Sequence, residues 1–209
     1  MLKGFDTSIR PRADQLMELR KHFDFCGFYL APAPSHYDRS WQAHADIVRD
    51  AGFKMLPIYV GQQVIGPGAK HPSTANGKKD GEAAVDLATE AKFAPKSPIY
   101  LDLENGAPVP PKEHEYAFAW AETVREHGYT PGVYCSHAIA DHFDQAFIRV
   151  WAFKVPTVHR TYATFDQLPS PPKTPWNWNA CQYRQNVMLR PLGVLVDLNC
   201  AKDDYGLAN

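Results

Sequence analysis

The alternation of short apolar runs with segments of helical spacing constrains the fold of this chain more than any other feature. A run of about four to eight mostly apolar residues is typical of a buried strand, and apolar residues three or four positions apart are typical of a helix. The predicted strands are residues 3–6, 25–30, 54–60, 97–104, 130–135, 149–153, 179–183 and 194–198. The predicted helices are residues 12–22, 41–51, 82–93, 112–127 and 137–146.

This order of elements predicts the fold class. Strands that alternate with helices favour parallel pairing through right-handed crossovers, and eight such units favour a closed barrel over an open sheet. The 209 residues suit one domain and are near the short end for a closed α/β barrel. We therefore predict an α/β fold in which residues 1–209 form a single (β/α)8 TIM-like barrel.

Glycine and proline indicate where the elements end. Gly52 and Gly128 follow predicted helices, at a position where a left-handed backbone is favoured. Residues 61–79 are rich in Gly, Pro and Ser, which predicts a long loop after the third strand. Residues 154–178 are rich in proline, so we expect the later helices to be irregular or missing.

The composition is that of a globular protein without a charge bias. Hydrophobic residues make up 44% of the chain, charged residues 22%, and the net charge is −1. This balance gives no attraction to nucleic acid or to an anionic membrane, so we expect neither as a partner. No segment reaches the ~18 apolar residues that span a bilayer, and residues 1–3 lead into the first strand without a signal peptide.

The cysteines and the common catalytic motifs suggest no other chemistry. None of the four cysteines lies in a CxxC pair or at zinc-site spacing, so buried thiols are expected, with a disulfide left open: Cys26, Cys135, Cys181 and Cys200. The chain has no GxSxG, HExxH or Walker A motif. Cys135 lies near His137, but two residues so close on a turning chain rarely align as nucleophile and base. No metal or cofactor is predicted.

The most informative segment is the end of the fourth predicted strand, at Asp102 and Glu104. Side chains alternate along a strand, so these two acids point to one face while Leu101 and Leu103 point to the other. In a barrel the leucines would lie under the helices and the acids would face the axis, about 6.6 Å apart at their Cα atoms. Two carboxyl groups so placed suit glycoside cleavage, although acids at a strand end also cap helices or pair with lysines.

Two more acids are predicted to join this pair. Asp6 ends the first strand and Asp197 lies in the last, and these strands are neighbours in a closed barrel. Each acid alone is typical of a helix cap or a loop anchor. Four acids that converge on one end of a barrel are not explained by core packing, so we predict catalytic roles for Glu104, Asp102, Asp6 and Asp197.

Aromatic and amide side chains lie at or near the same strand ends. Sugar rings offer apolar C–H faces and hydroxyl edges, which aromatic rings and amides bind well. The predicted substrate-binding residues are Tyr29, Tyr59, Tyr134, Trp151, Gln182 and Tyr183, with core packing as the alternative for some of them. Trp176 and Trp178 lie in the proline-rich segment, as groove wall or loop anchors.

Several segments together resemble known families. Residues 4–8 (GFDTS), 102–104 (DLE), 132–134 (GVY), 151–152 (WA), 182–183 (QY) and 196–199 (VDLN) resemble the family 25 glycoside hydrolases, which are lysozymes, and occur in that family's order. The N-terminal half is similar to the glycoside-hydrolase-like domains of the Rv2525c-like type, which are related to that family. The shared features are GFDTS, residues 28–30 (FYL), 57–59 (PIY), 81–84 (GEAA) and 98–100 (PIY).

The resemblance implies an eight-stranded barrel that hydrolyses the β-1,4 bond between N-acetylmuramic acid and N-acetylglucosamine in peptidoglycan. It implies that Glu104 is the general acid/base and that Asp102 orients the substrate acetamido group or stabilises the cation. Asp6 and Asp197 would shape the floor of the site and tune its pKa values. The groove would be lined by Tyr134, Trp151 and Gln182, without a metal or organic cofactor.

Two alternatives to a muramidase remain open from the sequence. One is a non-catalytic glycan-binding or cell-wall-binding module on a hydrolase-like barrel, and the other is a hydrolase of another glycan or an unrelated barrel enzyme. The retained pair of Asp102 and Glu104 favours turnover, because two crowded acids cost stability when they have no function. We expect a monomer that acts at the cell wall or in the periplasm, reached by secretion, by phage delivery or as an effector.

Overall fold

The structure is a computed structural model that describes residues 1–64, 71–144, 149–154, 159–172 and 178–202. The strands are β1 (Leu2–Asp6), β2 (Phe25–Tyr29), β3 (Lys54–Val60), β4 (Pro98–Leu103), β5 (Thr130–Ser136), β6 (Arg149–Phe153), β7 (Thr161–Ala163), β8 (Ala180–Leu189) and β9 (Val194–Ala201). The α-helices are α1 (Ala13–Arg20), α2 (Ala45–Asp50), α3 (Thr74–Glu90), α4 (Pro111–Glu126) and α5 (Ala140–Asp144). Short 3-10 turns precede α2 and follow β7, at Gln42–His44 and Phe165–Gln167.

Eight of these strands close into a barrel, which confirms the predicted fold class. Strands β1 to β6 pair in chain order and in parallel, and β6 pairs in parallel with β8. Strand β9 pairs with both β8 and β1 and so closes the ring. The remaining strand, β7, adds to the outer edge of β8.

The parallel pairing expected for the last strand is wrong. Strand β9 is antiparallel to both of its neighbours. The reason is the length of the connection, because β8 extends to Leu189 and only residues 190–193 separate it from β9. A parallel crossover needs a dozen or more residues, whereas a short turn joins antiparallel strands. Gly193 has a φ of 64° in that turn, a backbone conformation that favours glycine.

Apolar side chains pack in two layers, one inside the barrel and one between the strands and the helices. The inner layer contains residues from several strands, including Leu56, Ile58 and Tyr100. The outer layer contains Leu101 and Leu103 together with apolar residues of the helices. This alternation confirms that the leucines of β4 lie under the helices, which leaves Asp102 on the inner face.

The long loop predicted for residues 61–79 is shorter than expected. Helix α3 begins at Thr74, and the Ser73 hydroxyl caps it by accepting a hydrogen bond from the Asn76 N–H (3.2 Å). Its glycines belong to a helix–helix contact, since a Cβ on Gly77 would lie 2.4 Å from the Tyr116 carbonyl oxygen of α4. Glycine in this segment therefore allows close packing of two helices and does not mark a break in regular structure. Residues 65–70 lie outside the described part of the chain.

The remaining helices follow the prediction with changes at their ends. Gly52 and Gly128 do adopt positive φ angles, 85° and 83°, after α2 and α4. Helix α5 begins later than expected, at Ala140, and the described residues stop at Asp144, before its predicted end. In the predicted irregular segment, the described residues contain only β7 and a 3-10 turn. No helix among the described residues has the length and apolar character needed to cross a membrane.

Candidate functional site

The four predicted acids meet in one cavity at the carboxyl ends of the parallel strands. The cavity has a volume of about 70 Å³ and is lined by Asp6, Tyr29, Ile58, Asp102, Glu104, Tyr134, Trp151, Gln185 and Asp197. Sites for small molecules typically occupy roughly 300–1,000 Å³, so this space holds a few water molecules. The cavity is therefore too small to enclose a ligand of that size, which could contact the acids only from the rim.

Asp102 lies at the bottom of this cavity, on β4. Its side chain is buried, and its Oδ1 atom has no hydrogen-bond partner within the described residues. The pKa of Asp102 is well above its ordinary value, first because of burial and then because of the negative charges of Glu104 and Asp6. This carboxyl group therefore has one unused hydrogen-bond acceptor and belongs to the lining of the cavity.

Glu104 follows β4 directly and is exposed at the rim. Burial of its carboxyl group beside the cavity raises the pKa of Glu104, and the charge of Asp6 raises it further. A carboxyl group that is both accessible and easily protonated has the properties of a general acid. Asp102 and Glu104 therefore differ in exposure although they lie two residues apart.

Asp6 is the carboxylate with the most donors in the site. Its Oδ1 accepts a hydrogen bond from the Tyr29 hydroxyl (3.1 Å), and its Oδ2 accepts from Gln182 Nε2 (3.0 Å) and Asn199 Nδ2 (2.7 Å). Burial raises the pKa of Asp6, and these three donors oppose that shift because they stabilise the charged form. Of the four acids, Asp6 is the best equipped to carry a negative charge.

Asp197 faces Asp6 across the antiparallel pair of β9 and β1. Its Oδ1 accepts from the Asn186 backbone N–H (2.7 Å) and its Oδ2 from Gln182 Nε2 (3.2 Å). Burial, followed by the charge of Asp6, raises the pKa of Asp197 to about 8. At neutral pH this acid is largely protonated.

Four of the predicted substrate-binding residues lie among these acids, and most of them support the acids. The Tyr134 hydroxyl donates to Gln182 Oε1 (2.9 Å), and Trp151 Nε1 donates to Asn199 Oδ1 (3.0 Å). The rings of Tyr134 and Trp151 meet edge to face, 5.2 Å apart at their centroids. Gln182 and Trp151 are buried, so Tyr29 and Tyr134 are the members of this group with surface at the rim.

Tyr59 and Tyr183 are not brought to the cavity, which corrects their predicted position. Tyr59 is buried in the outer layer, 6.4 Å from the ring of Trp120 on α4. It points outward because its neighbour on β3, Ile58, lines the cavity. Tyr183 follows Gln182 on β8 and also points outward, where its hydroxyl donates to the Pro169 carbonyl oxygen (3.3 Å).

Other expectations concern residues away from the acids. Trp178 packs against the outer layer, and Trp176 lies outside the described residues. The four cysteines are buried free thiols, as expected. Burial raises the pKa of the Cys135 thiol, which disfavours a nucleophilic role. Among the described residues, no group of three His, Cys, Asp or Glu side chains is placed to hold a metal ion.

Several polar residues of the site were not among those predicted from the sequence. Asn199 lies two positions after Asp197 on β9, so strand alternation alone places both on the inner face. Gln185 lines the cavity from the part of β8 beyond the predicted strand. Gln63 binds the backbone on both sides of Leu103 from the segment predicted to be a long loop after the third strand.

Comparison with solved structures supports the barrel fold. An uncharacterised protein of B. stearothermophilus is 21% identical, with 100% of each chain covered and a TM-score of 0.68. GHIP, a glycosyl hydrolase 25 of Streptococcus pneumoniae, is 15% identical over 97% of this chain and 87% of its own, with a TM-score of 0.69. The catalytic domain of endolysin ply40, from bacteriophage P40 of Listeria monocytogenes, is 14% identical over 98% and 94%, with a TM-score of 0.68.

Comparison with family models identifies the family, although no curated protein sequence matches the chain. The structures above share its fold at low identity, and they include a glycosyl hydrolase 25 and an endolysin. The family model described as Rv2525c-like, glycoside hydrolase-like domain matches residues 18–190, which is most of the sequence. The chain therefore belongs to the family of Rv2525c-like, glycoside hydrolase-like domains.

Proposed function

We propose that this protein is a glycoside hydrolase that cleaves the β-1,4 bond between N-acetylmuramic acid and N-acetylglucosamine in bacterial peptidoglycan. The observation that carries the proposal is the pairing of an exposed Glu104 with a buried Asp102 at the mouth of the barrel, both with raised pKa values. Glycoside cleavage needs one acid that can protonate the glycosidic oxygen and a second carboxyl group close to it. Glu104 and Asp102, two residues apart on one face, meet this need. The glycosyl hydrolase 25 and endolysin neighbours favour the same substrate class.

In this proposal Glu104 is the catalytic acid and then the base. Its proton goes to the glycosidic oxygen as the bond from that oxygen to the anomeric carbon breaks, and the bonding electrons leave with the oxygen. Later the Glu104 carboxylate removes a proton from the water that attacks the anomeric carbon. The raised pKa keeps the proton on Glu104 closer to neutral pH than in an ordinary glutamate.

Asp102 acts on the substrate acetamido group. Its Oδ1 has no hydrogen-bond partner within the described residues, and rotation of the carboxyl group would let it accept the acetamido N–H, which makes the acetamido oxygen a better nucleophile toward the anomeric carbon. That oxygen forms a bond to the anomeric carbon as the glycosidic bond breaks, and the attacking water later displaces it. The mutual repulsion of Asp102 and Glu104 favours a single proton on the pair, and the proposed mechanism requires that proton to move to Glu104 when substrate binds.

Asp6 and Asp197 tune the pair from the floor of the cavity. The charge of Asp6 raises the pKa of Glu104, of Asp102 and of Asp197. Tyr29 and Gln182 hold Asp6 in place by hydrogen bonds, so its charge stays at a fixed position below the reacting atoms. The electrostatic environment is therefore organised before substrate arrives, which lowers the cost of reaching the transition state.

The substrate fixes where and how the protein acts. Peptidoglycan is a polymer too large for the cavity, so it would bind along the rim with one glycosidic bond above Glu104. We propose that the protein acts at the cell wall or in the periplasm as a monomer, since one chain supplies all four acids of the site.

The test is digestion of purified peptidoglycan by the wild type, by Glu104→Gln and by Glu126→Gln, with soluble products read by mass spectrometry. Glu126 is an exposed glutamate and the last residue of α4. Because α4 leads into the start of β5, Glu126 lies at the opposite end of the barrel from the cavity. We expect the wild type and Glu126→Gln to release muropeptides with reducing-end muramic acid. Glu104→Gln should release none, because an amide cannot donate the catalytic proton.

Two other outcomes would overturn the proposal. Products from Glu104→Gln at the wild-type rate would remove Glu104 from the mechanism. Sedimentation of all three proteins with the wall, without products from any, would leave the glycan-binding barrel as the function.

A further inference from the structure

The hydrogen bonds between β3 and β4 continue past the end of the sheet through one side chain. The backbone pairing of these strands ends where Val60 lies beside Asp102. Beyond that point, Gln63 Nε2 donates to the Asp102 carbonyl oxygen (2.8 Å), and Gln63 Oε1 accepts the Glu104 N–H (3.1 Å). A side-chain amide has an N–H donor and a C=O acceptor, as a peptide group does. Gln63 therefore makes the two hydrogen bonds that the backbone of β3 would make if the strand pairing continued.

The segment that carries Gln63 is itself held in place. A Cβ on Gly61 would lie 2.6 Å from Leu101 Cδ1 and 2.7 Å from the Tyr116 hydroxyl, so a side chain at this position would displace Leu101 or Tyr116. The next residue, Gln62, donates from Nε2 to Asp80 Oδ2 (2.8 Å) and from its backbone N–H to the Tyr116 hydroxyl (3.2 Å). Residues 61–63 are therefore fixed from both the sheet and the helices.

Gln62 and the Tyr116 hydroxyl both donate to Asp80, a buried acid that has no part in the proposed reaction. Asp80 lies on α3 with 6% of its surface exposed. Its Oδ2 accepts the Tyr116 hydroxyl (2.9 Å) as well as Gln62 Nε2. A buried carboxylate with two donors makes strong, directional hydrogen bonds. The contacts form a continuous chain from Asp80 through residues 61–63 to the backbone of Asp102 and Glu104.

We propose that Gln63 is a positioning residue that fixes the direction of the Glu104 carboxyl group relative to Asp102. The inference rests on the proposed function, in which Glu104 must protonate an oxygen at a defined point above the cavity. Glu104 lies beyond the last residue of β4, so no neighbouring strand orders its backbone on the β3 side. The Gln63 amide supplies that order by binding the backbone of Asp102, inside β4, and the backbone of Glu104, just after it.

The first experiment compares Gln63→Met with Gln167→Met. Gln167 also accepts a backbone N–H with its side-chain amide, that of Thr164 (3.1 Å), but it lies away from the acid cavity. Methionine preserves the length of glutamine and removes its hydrogen bonds. We expect Gln63→Met to lower kcat on peptidoglycan by about tenfold to a hundredfold with little change in KM, since it misplaces the acid without removing it. Gln167→Met should match the wild type.

A second variant, Gln63→Glu, tests the geometry through the pH profile. A glutamate at this position can still accept the Glu104 N–H, but it places a carboxylate beside the acid pair. That charge should raise the pKa of Glu104 and move the alkaline limb of the activity profile upward by roughly half a pH unit or more. An unchanged profile would contradict the position inferred for the Gln63 side chain.

A third measurement does not depend on catalysis. Amide hydrogen exchange at Glu104 should be faster in Gln63→Met than in the wild type and in Gln167→Met, because the Glu104 N–H loses its acceptor. The pKa of Glu104, followed by NMR of its carboxyl group, should shift in Gln63→Met alone. If the wild type cleaves nothing, the proposed function fails while these two readouts still decide the positioning role. The positioning role of Gln63 would be overturned by any of three results in Gln63→Met. These are unchanged exchange at Glu104, an unchanged pKa of Glu104, and faster exchange with an unchanged kcat.

Discussion

Asp6 and Asp197 lie directly opposite each other in the antiparallel pair of β1 and β9 and share one hydrogen-bond donor, the side-chain amide of Gln182. The distances from Gln182 Nε2 are 3.0 Å to Asp6 and 3.2 Å to Asp197. One amide between two carboxyl groups cannot stabilise two negative charges as well as one. Protonation of Asp197 with a charged Asp6 resolves the conflict, in agreement with the raised pKa of Asp197.

Substitution of Asp6 should move the pH dependence of the reaction. Asp6→Asn removes the charge that raises the pKa of Glu104, so that pKa should fall, and the alkaline limb of activity should move to lower pH by roughly half a unit or more. The variant should also lose about 2–4 kcal/mol of stability, because the amide cannot accept from all three of the Asp6 donors. Rates of muropeptide release from pH 4 to 9 and urea unfolding check both effects.

Asp50→Asn is the control for this prediction, since Asp50 is exposed at the end of α2 and lies outside the cavity. It should leave the pH profile unchanged. An Asp6→Asn profile that coincides with that of the wild type would show that Asp6 does not act on Glu104 through its charge.

The stability of the protein should fall as pH rises. Asp197 has a pKa of about 8 in the folded state and ~3.9 in the unfolded state, so between these values the folded state binds more protons. Its contribution is present at acidic pH, decreases by up to about 1.4 kcal/mol per pH unit, and levels off above pH 8. Urea unfolding at pH 5, 6, 7 and 8 measures the slope. Asp197→Asn should flatten it, and parallel curves for the two proteins would contradict the raised pKa.

Asp102 should show opposite effects on stability and activity. Its buried carboxyl group favours the protonated form in the folded state, and the unfolded chain ionises at pH 7. Asp102→Asn removes this difference and should raise the free energy of unfolding by roughly 1 kcal/mol at pH 7, with a larger gain at pH 8. Hydrolysis should fall about a hundredfold, because the proposed mechanism requires Asp102 to ionise when substrate binds and an amide cannot take that negative charge.

Parallel measurements of urea unfolding and muropeptide release on this variant check the prediction for Asp102. A loss of stability at both pH values would mean that Asp102 is charged in the folded protein. Unchanged hydrolysis would remove the residue from the mechanism.

The acid pair and the strands could be predicted from the sequence because both depend on local order. Alternation along β4 places Asp102 inside and Leu101 outside whatever the rest of the fold does. The same rule, applied to β3, places Tyr59 outside once Ile58 is inside. Its position near a strand end therefore does not place Tyr59 at the rim.

The remaining features depend on contacts between distant parts of the chain. The antiparallel direction of β9 follows from the extension of β8 to Leu189, which the interrupted apolar pattern of residues 184–189 concealed. The amide of Gln63 reaches residues about forty positions away, and no local pattern distinguishes it from an ordinary loop glutamine. Contacts of this kind become visible only when the register between strands is known.

Helix α3 gives the clearest example of a misleading local signal, and it leads to a test. Glycine is about 1 kcal/mol less favourable than alanine in a helix, so Gly77→Ala should stabilise an isolated α3. In the protein a Cβ at this position would lie 2.4 Å from the Tyr116 carbonyl oxygen and 3.0 Å from the Ala119 Cβ. Because that oxygen belongs to the backbone of α4, the two helices must separate, at a cost of about 1–3 kcal/mol. We expect a net loss of stability in urea unfolding.

Gly106→Ala is the matched control, since nothing lies within 4 Å of a Cβ built on Gly106 and its φ is not positive. That variant should be as stable as the wild type or slightly more stable, because alanine restricts the unfolded chain. A Gly77→Ala variant that is also more stable than the wild type would mean that α3 and α4 are less tightly packed than the structure describes. A loss confined to Gly77→Ala would establish that the glycines of α3 serve the contact between helices, which carries Asp80 and the anchor of residues 61–63.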